Sequence, residues 1–492
     1  METTDQDSAR RAPGQAVPES KGLWAHFNDL LGDWADSFCQ IRTWERVTQA
    51  LVGLVACPGR STLTNSILFR GRGQKEWSAD YKGFSRSDWK LIDLFRMVMR
   101  NGIKALTPGS RVVVAMDDTS LPKTGTKIPQ ARYCHNPLAP KFLEKPIMWG
   151  IRMLHAALII PNYVGHRPLA VSVGFEPVPA AQKPKAKKGE EVTESQMAEY
   201  EGKKKELSLT TKAVNMIKWL RFVLDEAGDS NRNLLIVADG SFTNGSVVRN
   251  LPHNTDLIGR FRKDARLYAP LTVKDGKRIY GDQIPTPHQY RHDDDIPVQK
   301  AYLHYGGKLR PISFKDVPGV YWKDGTKGRL MRMLIVLPIP YRIPGKSKRG
   351  YNQEAYLLTT DLHSPAGELV QAYLDRWQIE VLHRDLKNGI GVGQVQAWNE
   401  KSNDKVHGAQ VATYSMLNLA SLRAFGGRRT DDFPELPRWR KRKPPCRPSQ
   451  HDLVTILRND LLRYGRLAPP KGSEPRLPKR WELSCRETYQ VA

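Results

Sequence analysis

The stretch at 233–238, NLLIVA, is apolar at every position after its first residue. A strand with one face in water alternates apolar and polar residues, so an unbroken run of this kind has to be buried on both faces. Its neighbours fit the same architecture. RVVVAM at 111–116 is a short β-branched run, and 148–160 and 169–175 are two further strand candidates. A helical pattern at 211–225 lies between them and 233–238. Three strands, a helix and another buried strand predict an α/β fold with a mixed sheet.

Other segments surround this core. Apolar residues at 23, 24, 27, 30, 31, 34 and 38 follow helical spacing, and 41–55 repeats the pattern. A third helix is expected to start with Ser87 as its N-cap and to bury Trp89, Ile92, Phe95 and Val98. Residues 22–107 therefore read as a helical domain. Residues 1–21 lack the apolar core of a signal peptide and read as a disordered leader. The first part of the core spans 108–262, broken at about 178–207 by a Lys/Glu-rich stretch expected to be a mobile loop. A β-rich basic insertion follows at 263–355, with a strand at 331–337. The core resumes at 356–425. There a helix capped by Ser364, with Pro365 in its first turn, is expected to run to Asn388 and Gly389, and another covers 406–425. Residues 426–492 form a basic C-terminal segment with the run RWRKRK at 438–443 and a helix at 452–464.

Charge narrows the partner. The 492 residues carry a formal net charge of +26, which argues for a polyanion. Residues 299–350 hold 12 Lys and Arg against 2 Asp, and 426–492 hold 16 basic against 8 acidic residues. The excess thus lies mainly outside the predicted core strands. No apolar run is long enough to span a membrane. The five cysteines (Cys39, Cys57, Cys134, Cys446, Cys485) are scattered without a Cys-x-x-Cys pair, which fits free thiols in a reducing cytoplasm and no zinc site.

Three acidic positions stand out by their placement. Asp117-Asp118-Thr119 is expected to close the first buried strand, Asp239 closes the second, and Glu380 sits inside the long helix. Carboxylates at adjacent strand ends suit hard divalent cations such as Mg²⁺. Two such ions about 3.5–4 Å apart can activate the attacking oxygen and stabilise the leaving one in phosphodiester chemistry. No Gly-x4-Gly-Lys loop is present, which disfavours nucleotide hydrolysis. Around Glu380, Tyr373, Arg376 and Lys387 follow helical spacing. At 100° per residue, Tyr373, Glu380 and Lys387 fall within about 40° of one another, with Arg376 about 60° to one side. One helix face offers a carboxylate for metal, two cations for phosphate and a phenol.

This pattern, Tyr-x2-Arg-x3-Glu-x6-Lys after an Asp-Thr at one strand end and an Asp-Gly at another, resembles the DDE transposases of bacterial insertion sequences. The resemblance covers about residues 22–425. It implies a ribonuclease-H-like mixed sheet with flanking helices, interrupted by the β-rich insertion and preceded by an all-helical DNA-binding domain. It also implies two Mg²⁺ or Mn²⁺ ions, cleavage at the ends of the element, and joining of the freed 3′-hydroxyl to target DNA. The first carboxylate is then Asp118, the residue directly before Thr119, with Asp117 open as the alternative because alternation sends the two to opposite faces. Asp239 is the second and Glu380 the third; Tyr373, Arg376 and Lys387 match positions that grip the DNA end.

The expected partners are terminal inverted repeats and target DNA, met by a homodimer in the synaptic complex, in a cytoplasmic, nucleoid-associated enzyme with no membrane contact. Lys123, Lys127 and Arg132 are candidate phosphate contacts, and Trp322 is a candidate for stacking on a base. Trp377 is expected to pack, and Asp293, Asp294 and Asp295 to be solvated. Two rival classes remain: a nuclease of the same fold that never joins strands, and a catalytically silent DNA-binding protein.

Overall fold

The computed structural model describes residues 22–136, 139, 146–186, 191–270, 280–326, 328–342 and 349–463. The expected leader, Cys485 and Tyr464 lie outside them. The strands are β1 (Val112–Pro122), β2 (Arg132–His135), β3 (Ile147–Ile160), β4 (Leu169–Pro177), β5 (Leu234–Ala238), β6 (Thr255–Arg260), β7 (Leu267–Tyr268), β8 (Gln283–Ile284), β9 (Gln299–Tyr305), β10 (Lys308–Tyr321), β11 (Leu330–Val336), β12 (Pro340–Arg342), β13 (Arg349–Tyr351) and β14 (Ala355–Thr359). One sheet runs β2-β3-β1-β5-β6-β14-β11-β10-β7-β8, with β4 on β3 and β9 on β10; β12 and β13 pair separately.

β5 lies parallel to both β1 and β6. Its alternate side chains enter different cores: Leu234, Ile236 and Ala238 join one apolar cluster, Leu235 and Val237 the other. The unbroken apolar run therefore has the double-sided burial its sequence demands. Helix Leu209–Glu226 buries Leu220 and Leu224 in the first cluster, and helix Ala366–Asp375 buries Leu369 and Val370 in the second. With β1, β3 and β4 antiparallel and β5 and β6 parallel, this is the mixed α/β sheet of a ribonuclease-H-like fold. β14 pairs antiparallel with β6 and with β11, so the β-rich insertion extends the core sheet at its edge. The N-terminal helices share the first cluster with the sheet, joined through helix Glu400–Phe425.

Several expectations are corrected. The helix expected to start at Ser87 is Leu91–Lys104, the fifth α-helix among the described residues after Leu63–Phe69 and Ser78–Ser85; Lys90, not Ser87, is at its N-cap position, with no side-chain cap. Trp89 precedes it and donates its Nε1–H to the Gly83 carbonyl, while Ile92 is exposed and Leu94 takes the buried position. The stretch expected to be a loop contains helix Glu194–Glu206, whose start is fixed by a reciprocal Thr193–Gln196 capping box and which buries no side chain. Ser364 does not cap the next long helix, because Pro365 is the N-cap and the Ser364 carbonyl accepts from Arg332. That helix divides at Arg376 into Ala366–Asp375 and Trp377–Arg384 and ends in a π-helical turn, Asp385–Gly389. Among the described residues the cysteines are free, and no helix is long and apolar enough to cross a membrane.

Candidate active site

Residues Asp117 and Asp118 do not close β1. The strand continues to Pro122 because β3 is long enough to keep pairing with it after β5 ends; the last β5 partner is Met116, opposite Ala238. Alternation then separates the two carboxylates. Asp117 meets Arg376, with Nη1 3.5 Å from Oδ2. Asp118 points the other way and is held by Arg152, whose Nε and Nη2 donate at 2.7 and 3.0 Å.

Asp239 follows β5 directly. Its Oδ1 accepts the Ser241 N–H at 2.9 Å, an Asx turn that fixes the carboxylate at the strand end. Glu380, on helix Trp377–Arg384, accepts from Arg376 Nη2 at 3.1 Å. One guanidinium therefore spans Asp117 and Glu380. Burial pushes Asp117 up to about 7; Arg376 opposes the shift and the Asp239 charge adds to it. Burial also raises Glu380, with Arg376 opposing and Asp239 adding. Tyr373 is raised by burial and sits within the fields of Arg376, Arg260, Asp239 and Glu380. Burial lowers Lys387, while the Asp117 charge resists. Asp117, Asp239, Glu380, Tyr373, Arg376 and Lys387 thus form one electrostatically coupled group at the end of the parallel strands.

Two histidines lie beneath it. His155 is opposite Asp117 on β3, and its ring lies 4.9 Å from that of His383 on the Glu380 helix, tilted by 38°. Burial lowers both, His383 to about 3 with help from Lys387 and Arg376, so neither adds positive charge at neutral pH. Sequence reasoning passed over Arg152, Arg260 and His383. Arg152 and His155 had a visible signal, as polar residues inside the otherwise apolar run IRMLHAALII.

Other candidates fall elsewhere. Lys123 is buried and faces no open surface: its ammonium donates to the Gly393 and Val395 carbonyls at 2.8 Å each and meets His407 Nε2 at 2.9 Å. Its reading as a phosphate contact is corrected, since those acceptors and the burial leave it closed to DNA. Burial lowers the ammonium to about 7. Lys123→Met is expected to cost about 2–4 kcal/mol, measured by urea denaturation, because three buried acceptors lose their donor. Trp377, expected to pack, is 58% exposed. Trp322 is half-buried, edge-on to Phe261 at 5.0 Å. Lys127 is exposed, Arg132 half-buried, and Asp294 and Asp295 exposed.

Among the described residues, no three His, Cys, Asp or Glu side chains converge on one point as a metal site. The donors nevertheless suit a hard cation in kind. Asp117, Asp239 and Glu380 offer only oxygen, and the raised pKa values of two of them reflect burial and a repulsion that a divalent ion would relieve. Arg376 supplies the positive charge between Asp117 and Glu380 in this arrangement.

The family model of the DDE superfamily endonucleases matches residues 37–329, more than half of the chain. The chain belongs to that family. The match includes Asp117, Asp118 and Asp239 and ends before Glu380. No curated protein matches the chain.

Proposed function

We propose that the chain is a DNA transposase of the insertion-sequence type, which cuts DNA at the ends of a mobile element and joins the freed 3′-hydroxyl to target DNA. The observation that carries this reading is the grouping of Asp117, Asp239 and Glu380 around Arg376, with Lys387 and Tyr373 beside them. Asp117, Asp239 and Glu380 would hold Mg²⁺ or Mn²⁺, as two ions. When bound, these supply Lewis-acid stabilisation of the attacking and leaving oxygens. Arg376, freed from the carboxylates, and Lys387 hold non-bridging phosphate oxygens, and Tyr373 flanks the strand end. Asp118, tied to Arg152, fixes the β1–β3 ladder from the opposite face.

The chemistry needs no outside energy source. In cleavage, a water oxygen bonds to phosphorus and the 3′-oxygen leaves with a proton. In joining, that 3′-oxygen bonds to a target phosphorus and another P–O bond breaks. The N-terminal helices would hold the terminal repeat and the basic insertion the flanking or target DNA, in a homodimer that pairs two ends in the bacterial cytoplasm. The test offers a precleaved end with a free 3′-hydroxyl, a supercoiled target and Mn²⁺. Joined product is expected. Cleavage of intact ends without joined product would favour a plain nuclease, and neither product a silent DNA-binding protein.

A further inference from the structure

Helices Ile41–Ala56 and Ser78–Ser85 approach closely: a Cβ on Gly83 would come within 2.9 Å of Val47 Cγ2. Beside that approach lies a cleft of about 270 Å³ lined by four cations, Arg42, Arg46, Lys82 and Arg86, and by the hydroxyl residues Thr43 and Ser87. Arg42 and Arg46 are one turn apart on one helix, and Lys82 and Arg86 one turn apart at the other, so the cations form two facing rows. No carboxylate lines the cleft. Asp80, the nearest acid on the second helix, is buried and already bound by Arg70 at 2.8 Å and Arg72 at 3.3 Å. None of the four cations has an ion-pair partner among the described residues. Four unneutralised cations facing one another repel, and an anion between the rows removes that repulsion.

We propose that this cleft is a groove for the phosphodiester backbone of duplex DNA, an inference that rests on the reading of the chain as a DNA-cutting enzyme. Its lining of cations and hydroxyls suits a phosphate-bearing backbone, and it opens to solvent on the exposed Arg42, Lys82 and Arg86. The groove is tied to the carboxylate site. Lys405, on helix Glu400–Phe425, donates to the Ser87 carbonyl and lies 4.8 Å over the Trp89 ring. Ser61 donates its hydroxyl to the Ile390 carbonyl at 2.7 Å, just after the Glu380 helix. DNA gripped between the two helices is therefore held in a fixed register relative to Glu380.

The experiment measures the affinity of full-length protein for a 40-base-pair duplex across a salt series. Arg46→Gln/Lys82→Gln and, separately, Arg42→Gln/Arg86→Gln change side chains at the protein surface. Each pair is expected to lower the slope of log K against log salt by about 1.8, at about 0.9 for each phosphate left without its cation. Lys203→Gln/Lys204→Gln, on the exposed helix where both lysines already pair with glutamates, should leave the slope unchanged. Unchanged slopes in both groove variants, with wild-type protein binding normally, would overturn the groove and leave the proposed function standing. Absence of all DNA binding by the wild type would instead overturn the function. Displacement of the duplex by equimolar tripolyphosphate would show a small-anion site and also overturn the groove.

Discussion

Asp239→Asn and Glu380→Gln are each expected to lower divalent-metal-dependent DNA cleavage by on the order of 10²–10³-fold while leaving DNA affinity within about twofold. That magnitude is typical for removal of one group aimed at charge that develops in a transition state. Both substitutions preserve shape. Asp239 sits on an Asx turn whose Ser241 N–H bond an Asn oxygen can keep, and Gln at 380 can still accept from Arg376. The fold should therefore persist, and the drop in activity would report the missing charge. Cleavage rates with Mg²⁺ and Mn²⁺, set beside filter-binding affinities, separate the two effects.

The second large effect concerns stability. Asp117→Asn is expected to stabilise the metal-free protein by up to about 4 kcal/mol at pH 8, from roughly 1.4 kcal/mol per pKa unit of a shift that already includes the attraction to Arg376. The carboxyl titrates at about 7 in the folded chain against an ordinary 3.8, so the folded state binds more protons than the unfolded one between those values. The cost of the charge is absent below 3.8, grows as pH rises, and is complete above 7. The gain from Asn should follow the same course: nothing near pH 3.5, an increase through pH 5 and 6, and a plateau above 7. Added Mn²⁺ should raise the melting temperature of the wild type and leave that of Asp117→Asn unchanged. A buried carboxylate that lowers stability is the expected trade if the proposed site binds cations.

Much of this is legible in the chain. A fully apolar run can sit only where both faces are covered, and β5 does. The Tyr373, Arg376, Glu380 and Lys387 spacing survives a break at Arg376 and a π turn, because the backbone at the break, φ −50° and ψ −31°, stays helical and keeps those side chains on one side. The choice between Asp117 and Asp118 is not legible. It depends on which face of β1 receives the Glu380 helix, and the helix arrives more than 250 residues later in the chain. Lys123 misleads for the same reason, since its acceptors at 393, 395 and 407 are invisible to local pattern. The helix at Glu194–Glu206 does carry a signal: Thr193-Glu-Ser-Gln196 is a capping box, but the absence of any apolar face masks it. Ser87 resembles a cap, yet the chain there is set by Trp89, buried against Phe38 and Phe84.

The most direct test compares Asp117→Asn with Asp118→Asn in Mn²⁺-dependent cleavage of DNA. If the metal site lies on the face of β1 that meets Arg376, Asp117→Asn loses on the order of 10²–10³-fold and Asp118→Asn keeps its rate within about tenfold, with reduced thermal stability because its ion pair with Arg152 is gone. An inactive Asp118→Asn beside a fully active Asp117→Asn would contradict that assignment.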